Sequence, residues 1–245
     1  MQRYFLEVSY KGTHYSGFQV QENANTIQAE IENAFHILQR TPLVLTGSSR
    51  TDAGVHALQN YFHFDFAAPL NPQFVYKMNA ILPPDIVVKA LHKVGPEAHS
   101  RFDAVARKYI YNIHQKKNPF LQETSLFYPY KLDKELLQQA AALIKEQNNF
   151  VAFSKSNSQV KNFQCYITGS EWTFEGDRLF YTIEGNRFLR GMVRLITGTL
   201  LKVGRNKLSL DALRNMFENE VKSSYAVPAS GLFLESVVYP DAYFL

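Results

Sequence analysis

One order of predicted elements occurs twice along the chain: strand, helix, strand, strand, helix, strand. In the first half, Leu58–Phe66 alternates with a period of two, which is typical of a half-buried strand. Apolar residues within 27–38 recur at helical spacing, with Asn25 as N-cap and Gln28 completing a capping box. The βαββαβ order is that of the split βαβ, or ferredoxin-like, motif. We therefore predict an α+β fold of two ferredoxin-like βαββαβ halves joined into one antiparallel-rich sheet.

The boundary between the halves is expected near residues 98–105, which gives predicted domains at residues 1–105 and 106–245. The expected strands are Tyr4–Tyr10, Leu43–Leu45, Leu58–Phe66, Ile86–Val94, Lys108–His114, Phe163–Phe174, Leu179–Glu184 and Leu232–Tyr239. Helices are expected after Asn25, Asn71-Pro72, Asp133 and Ser209, and from about Arg187 to Val203. The segment Glu175–Arg178 is a hairpin signal.

The charge and cysteine content limit the environment and the partners of the chain. The 245 residues carry a formal net charge of +4, which is compatible with a polyanionic partner. The single cysteine, Cys165, excludes an internal disulfide and fits a reducing cytoplasm. Glu7 interrupts the first apolar run, so no signal peptide is predicted, and no run of about 20 apolar residues could span a bilayer. We expect a cytoplasmic protein without a membrane partner.

A dense polar cluster, Arg50 to His56, lies between two apolar stretches. Asp52-Ala53-Gly54 favours a tight turn, but a turn does not account for Arg50 two residues before Asp52. A nearby cation favours the ionised form of a carboxylate. The pattern leaves a turn and a functional site equally open.

Two further patterns also allow two interpretations each. On a helix starting at Arg187, the three residues Arg187, Arg190 and Arg194 would share one face, either as a solvated surface or as a site for phosphate or a buried carboxylate. Tyr109 and Tyr111 share one face of a predicted strand, where they either pack in the core or line a cleft that receives a nucleobase.

Several kinds of site are not indicated. The loop Lys11–Gln21 lacks the phosphate-binding P-loop pattern, no serine lies within Gly-x-Ser-x-Gly, and no Cys/His group has zinc-ligand spacing. We therefore predict no metal and no cofactor. An RNA-binding protein with RRM-like sheets would need aromatic RNP motifs, and a small-molecule enzyme would need a cofactor motif.

Six segments resemble, in order, the motifs of the tRNA pseudouridine synthase A (TruA) family. They are Tyr10–Gln19, Arg50–Ala57, Asn79–Ile86, Arg101–Tyr109, and the C-terminal pair Phe188–Arg194 and Ala229–Leu232. The resemblance covers nearly the whole chain. It implies the pseudouridine synthase fold, two ferredoxin-like halves around a cleft, with the Asp motif in the first half and the Tyr and basic-helix motifs in the second.

The resemblance also implies an activity, an isomerase that converts uridine to pseudouridine at positions 38, 39 and 40 of the tRNA anticodon stem-loop. Other tRNA uridines are the alternative target. The family acts as a homodimer without a cofactor, so we expect tRNA and a second copy as partners. Attack at C1′ of the ribose and attack at C6 of the base both remain open.

Site residues carry over by their position in these motifs. Asp52 matches the nucleophile, Tyr109 the tyrosine that stacks on the target base, and Arg194 the arginine that pairs with the catalytic carboxylate. Arg50 matches an arginine that enters the RNA stem and helps to expose the base. The expected substrate-binding residues are Arg50, Thr51, His56, Tyr109 and Arg190.

Three positions depart from the family pattern. Ser49 replaces the usual glycine before Arg-Thr-Asp, and Phe18 replaces a common tryptophan. The loop from 154 to 164 lacks an arginine, and Cys165 occupies its place. These departures affect expected loop contacts and the choice among target uridines, but not Asp52, Tyr109 or Arg194.

Overall fold

The computed structural model describes residues 1–155 and 160–244 as two compact units. The first unit contains Met1–Ala106 and the C-terminal segment from Phe233 onward, and the second contains Arg107–Leu232. The fold is mixed α+β, with mostly antiparallel strands. No helix in the described part of the chain is both long and apolar enough to cross a membrane.

The strands are β1 (Gln2–Tyr10), β2 (Thr46–Gly47), β3 (His56–Phe66), β4 (Ile86–Val94), β5 (Ala106–His114), β6 (Leu126–Phe127), β7 (Ile167–Glu175), β8 (Arg178–Gly185) and β9 (Leu232–Val238). The helices are α1 (Ile27–Gln39), α2 (Phe74–Ile81), α3 (Lys134–Glu146), α4 (Met192–Gly204) and α5 (Leu210–Glu218). The predicted bounds of β4 are confirmed, as is the hairpin at residues 175–178, where β7 pairs with β8.

In the first unit, β1 lies between β4 and β3 and pairs antiparallel with both. The short β2 pairs antiparallel with β3, and β9 pairs parallel with the start of β3. The two helices cover one face of this sheet, where the ring of Phe35 on α1 contacts Phe64 on β3 and Phe74 on α2. These rings form the core beneath the helices.

The prediction that β3 is half-buried is wrong, because both of its faces are covered. Phe62 and Phe64 are buried, and so is Tyr61, whose side chain points to the opposite face. The C-terminal segment supplies the second cover, since the rings of Tyr239 and Phe244 lie 5.2 and 5.7 Å from Tyr61. The sequence-based division at 105/106 assigned this segment to the second half, whereas its pairing and packing connect it to the first unit.

In the second unit, β8 lies between β5 and β7 and pairs antiparallel with both. The predicted N-cap of α3 is confirmed, because the carboxylate of Asp133 accepts the N–H groups of Glu135 and Leu136 at 3.0 Å. Gln138 on α3 exchanges two hydrogen bonds with the backbone of Trp172 on β7, so the helix is connected to the sheet by polar contacts as well as packing.

Other predicted bounds were shifted by local chemistry. The N-cap of α1 is Thr26 and not Asn25, since the hydroxyl of Thr26 accepts the N–H of Ala29. The strand expected at Leu43–Leu45 is β2, at Thr46–Gly47. The helix expected at Asn71-Pro72 begins at Phe74, because the side chain of Asn71 caps the preceding turn at Gln73. The strand expected from Phe163 begins at Ile167.

Candidate active site

The polar cluster forms a tight turn at Asp52–Val55. The N–H of Val55 donates to the carbonyl of Asp52 (3.1 Å), and Gly54 has φ of +76°. A positive φ at the third residue of a four-residue turn is typical of a type II turn, where glycine is the residue of choice. The turn predicted from sequence is therefore present, and it displays Asp52 at its first position.

The loop between β1 and α1 holds this turn through backbone hydrogen bonds. The N–H of Phe18 donates to the carbonyl of Thr51 (3.1 Å), and the N–H of Gly54 donates to the carbonyl of Tyr15 (3.3 Å). The N–H of Gly12 donates to Nδ1 of His56 (3.0 Å). The loop thus bonds to Thr51 just before the turn, to Gly54 within it and to His56 just after it.

The loop between β1 and α1 approaches the backbone of Thr51–Val55 closely, which explains two glycines in that loop. A Cβ at Gly12 would lie 2.0 Å from the carbonyl oxygen of Val55. A Cβ at Gly17, which has φ of +102°, would lie 3.0 Å from the carbonyl oxygen of Thr51. Any side chain at Gly12 would push the loops apart.

A buried polar network supports the turn from the sheet side. Asn60 on β3 is fully buried, and its amide donates to the carbonyl of Ser49 (3.0 Å) and the hydroxyl of Tyr10 (3.1 Å). Its oxygen accepts from the hydroxyl of Ser48 (2.8 Å). The hydroxyls of Tyr10 and Thr51 lie 2.9 Å apart. This satisfied network connects the strand to the residue before Asp52.

The predicted site residues of the first unit differ in exposure. Arg50 is exposed and Asp52 is partly exposed, whereas Thr51 is 8% and His56 only 1% exposed. Because Nδ1 of His56 accepts the N–H of Gly12, the neutral ring carries its proton on Nε2. The ring also packs 4.5 Å from that of Phe233.

In the second unit, Tyr109 lies on β5 opposite Ile183 of β8. It is 9% exposed, and its ring makes a T-shaped contact with that of Phe188 at a centroid distance of 5.1 Å. Tyr111, on the same face, is fully buried and donates to the carbonyl of Pro228 (2.8 Å). Of the two tyrosines, Tyr111 has the packing role that the sequence left open.

The predicted basic helix face is wrong. Helix α4 begins at Met192, and its N-cap is Gly191, whose left-handed φ of +72° breaks the helix. Arg187 and Arg190 therefore lie in the preceding loop, and only Arg194 is on the helix. Nε of Arg194 donates to the carbonyl of Val227 (2.7 Å), which sets the direction of the guanidinium.

The three departures from the family pattern have defined surroundings. The ring of Phe18 stacks on Phe62 at 4.5 Å, and Gly47 lies beneath it, where a Cβ would clash. Ser49 belongs to the network around Asn60. Cys165 is fully buried, and burial raises the pKa of its thiol to about 11. Within the loop 154–164, residues 156–159 lie outside the described residues.

Some residues that hold the turn were not found by sequence reasoning, namely Tyr10, Tyr15 and Asn60. Asn60 carried a usable signal, because it is a polar residue on the apolar face of the alternating segment. Within residues 1–155 and 160–244, no group of three or more His, Cys, Asp or Glu side chains could hold a metal ion.

Comparison with known proteins identifies the family. The family model described as tRNA pseudouridine synthase matches residues 7–103 and 140–240. The chain is 43% identical to a tRNA pseudouridine synthase A of Parabacteroides distasonis, covering all of this chain and 98% of the relative. It is 42% identical to the one of Bacteroides fragilis (100% and 99% covered) and 36% to that of a Geobacillus species (96% and 97%).

These matches define the class of protein as isomerases that modify tRNA. The chain belongs to the tRNA pseudouridine synthase family, and its relatives are of the TruA type. The family match includes Asp52 and Arg194, whereas Tyr109 lies between the two matched ranges, in a segment that the full-length relatives cover.

Proposed function

We propose that this protein converts uridine to pseudouridine at positions 38, 39 and 40 of the tRNA anticodon stem-loop, with Asp52 as the nucleophile. The geometry of the Asp52–Val55 turn carries the proposal. Two backbone hydrogen bonds, the bond from Gly12 to the ring of His56 and a buried network hold it, while Asp52 itself keeps access to solvent. A nucleophile held in place before substrate binds reduces the entropic part of the barrier.

The reaction exchanges one glycosidic bond for another. The carboxylate of Asp52 attacks either C1′ or C6 of the uridine, and the bond between C1′ and N1 breaks. The freed uracil rotates, C5 bonds to C1′, the C5 proton leaves, N1 takes a proton, and the carboxylate is released. The sum of these steps is an isomerisation, so no oxidant, reductant or cofactor is needed.

The other site residues take roles that match their surroundings. Tyr109 stacks on the target base, and Phe188 supports its ring from the side. Arg194 pairs with the catalytic carboxylate, and its bond to Val227 orients the planar fork of donors that suits an anion. Arg50, which is exposed, enters the RNA stem, and the exposed Arg190 binds phosphate.

For Thr51 and His56, the proposal replaces the RNA contact expected from the sequence with a positioning role. Both are buried, and both bond to the loop or network that holds the turn. Their role is to position Asp52 rather than to contact RNA directly.

The proposal includes the wider architecture and setting of the protein. The enzyme is a cytoplasmic homodimer of chains with two ferredoxin-like halves, the first carrying the aspartate and the second the tyrosine and arginine. The order β4-β1-β3-β2, antiparallel throughout, supports this assignment for the first half.

The test is incubation with an unmodified tRNA transcript, followed by mapping of pseudouridine. Pseudouridine is expected at positions 38–40. Pseudouridine found only at other positions would contradict the proposed target and identify those uridines in its place. Asp52→Asn should abolish turnover and leave tRNA binding intact, whereas Asp65→Asn, a carboxylate of the same unit paired with Arg3, should stay active. Turnover by Asp52→Asn would rule out the nucleophile role.

A further inference from the structure

We propose that Asp85 and Tyr15 form a positioning pair that sets the geometry of the turn carrying Asp52. The inference rests on the proposed role of Asp52 as nucleophile. The hydroxyl of Tyr15 donates to Oδ1 of Asp85 at 2.6 Å, across 70 positions of sequence. Tyr15 is 6% exposed, so this bond lies at the edge of the core.

Tyr15 connects this bond directly to the turn. Its carbonyl accepts the N–H of Gly54, the third residue of the Asp52–Val55 turn. Its own N–H donates to the carbonyl of Gly12, whose N–H in turn donates to His56. Tyr15 thus bonds directly to Gly54 within the turn and is connected through Gly12 to His56, which follows the turn.

Asp85 holds the same loop at a second point. Its carbonyl accepts the N–H of Lys11 (2.9 Å), at the start of the loop that contains Tyr15. The residue therefore holds the loop through both its backbone and its side chain, from the connection between α2 and β4. A shift at Asp85 would be transmitted to both points.

The chemistry of the pair suits a rigid support. A bond from a hydroxyl to a carboxylate is shorter and about twice as strong as one between neutral groups. Burial and the bond to Asp85 both raise the pKa of Tyr15, so the phenol remains a donor throughout the neutral range. Loss of either partner removes the bond but none of the residues assigned to contact RNA.

The experiment measures kcat and KM for tRNA in Tyr15→Phe, Asp85→Ala and Asp85→Asn, together with thermal unfolding. We expect Tyr15→Phe and Asp85→Ala to lower kcat about tenfold, with KM within about twofold of wild type, because misplacement of a reacting group acts on the chemical step. Asp85→Asn keeps an oxygen acceptor and should recover most of kcat.

The chain offers a matched control in the same unit. The hydroxyl of Tyr243 donates to Oδ2 of Asp103, also at 2.6 Å, but the pair holds the C-terminal segment. Tyr243→Phe should lower stability as Tyr15→Phe does and leave kcat unchanged. If both variants lose kcat in proportion to stability, the role of Tyr15 is structural and the inference is overturned.

Two other outcomes also decide the matter. Wild-type kcat in Tyr15→Phe, or a change confined to KM, would contradict a positioning role. If Tyr15→Phe fails to fold, the test compares Asp85→Ala with Asp85→Asn. Equal kcat in these two variants would refute the positioning role. Failure of the proposed function is recognised separately, by turnover in Asp52→Asn.

Discussion

Replacement of Gly54 by alanine tests whether the shape of the turn, apart from its side chains, sets activity. Gly54 has φ of +76°, and a left-handed conformation costs a residue with a Cβ about 1–2 kcal/mol. In a chain of this size, that loss lowers the unfolding temperature by about 2–8 °C. Relaxation of the strain would also move the N–H of Gly54 away from Tyr15 and displace Asp52. We expect kcat to fall at least tenfold, and a tenfold fall corresponds to a rise of about 1.4 kcal/mol in the activation barrier.

Gly176 provides the matched control. It has φ of +59° in the hairpin between β7 and β8, and a Cβ there would meet no other atom within 4 Å. Gly176→Ala should therefore lose comparable stability, measured by thermal unfolding, while pseudouridine formation on a tRNA transcript keeps its wild-type kcat. If Gly54→Ala loses stability but turns over as fast as Gly176→Ala, the conformation of the turn does not set the reactivity of Asp52.

Three further outcomes are expected. Asp133→Ala removes the N-cap of α3 and should cost about 1 kcal/mol in urea unfolding without a change in kcat; an unchanged unfolding midpoint would contradict the cap. Burial lowers the pKa of His63 from 6.5 to about 4, so between these pH values the unfolded state binds more protons than the folded state. The free energy of unfolding should therefore decline as pH falls from 6.5 towards 4, and it should decline less in His63→Gln. Equal pH dependence in the two proteins would exclude His63 as the cause. Raising salt from about 50 to 200 mM should weaken tRNA binding steeply in a binding assay, and a flat response would remove phosphate contacts.

Local signals predicted those parts of the fold whose determinants lie close together in sequence. Asp133 caps α3 through the two N–H groups that follow it, and the hairpin at 175–178 needs only its own glycine. Helix α4 shows the limit of periodicity, because the helical spacing of Arg187, Arg190 and Arg194 continues through Gly191, although the helix begins only after this residue, whose φ is +72°. A glycine inside a helical pattern permits this break but does not announce it.

Contacts between distant segments were beyond the reach of the sequence pattern. The alternation in β3 predicted one exposed face, but Tyr239 and Phe244 cover that face from about 180 positions away. In the candidate site, Asp52-Ala53-Gly54 predicted the turn itself. Nothing near Asp85 in the sequence indicates that it accepts from Tyr15.

The arrangement around Asp52 separates the holding of the proposed nucleophile from the binding of the substrate. The bonds that hold the turn come from Gly12, Tyr15 and Phe18, and their donors and acceptors are mostly backbone groups. Backbone bonds tolerate side-chain replacement, but they require that the two loops approach closely, which is why Gly12 cannot carry a Cβ. A turn held in this way has lost its conformational freedom during folding, so ordering Asp52 takes nothing from the binding energy of tRNA. In the proposed reaction, that energy then remains available to unstack and expose the target base, which costs on the order of a few kcal/mol.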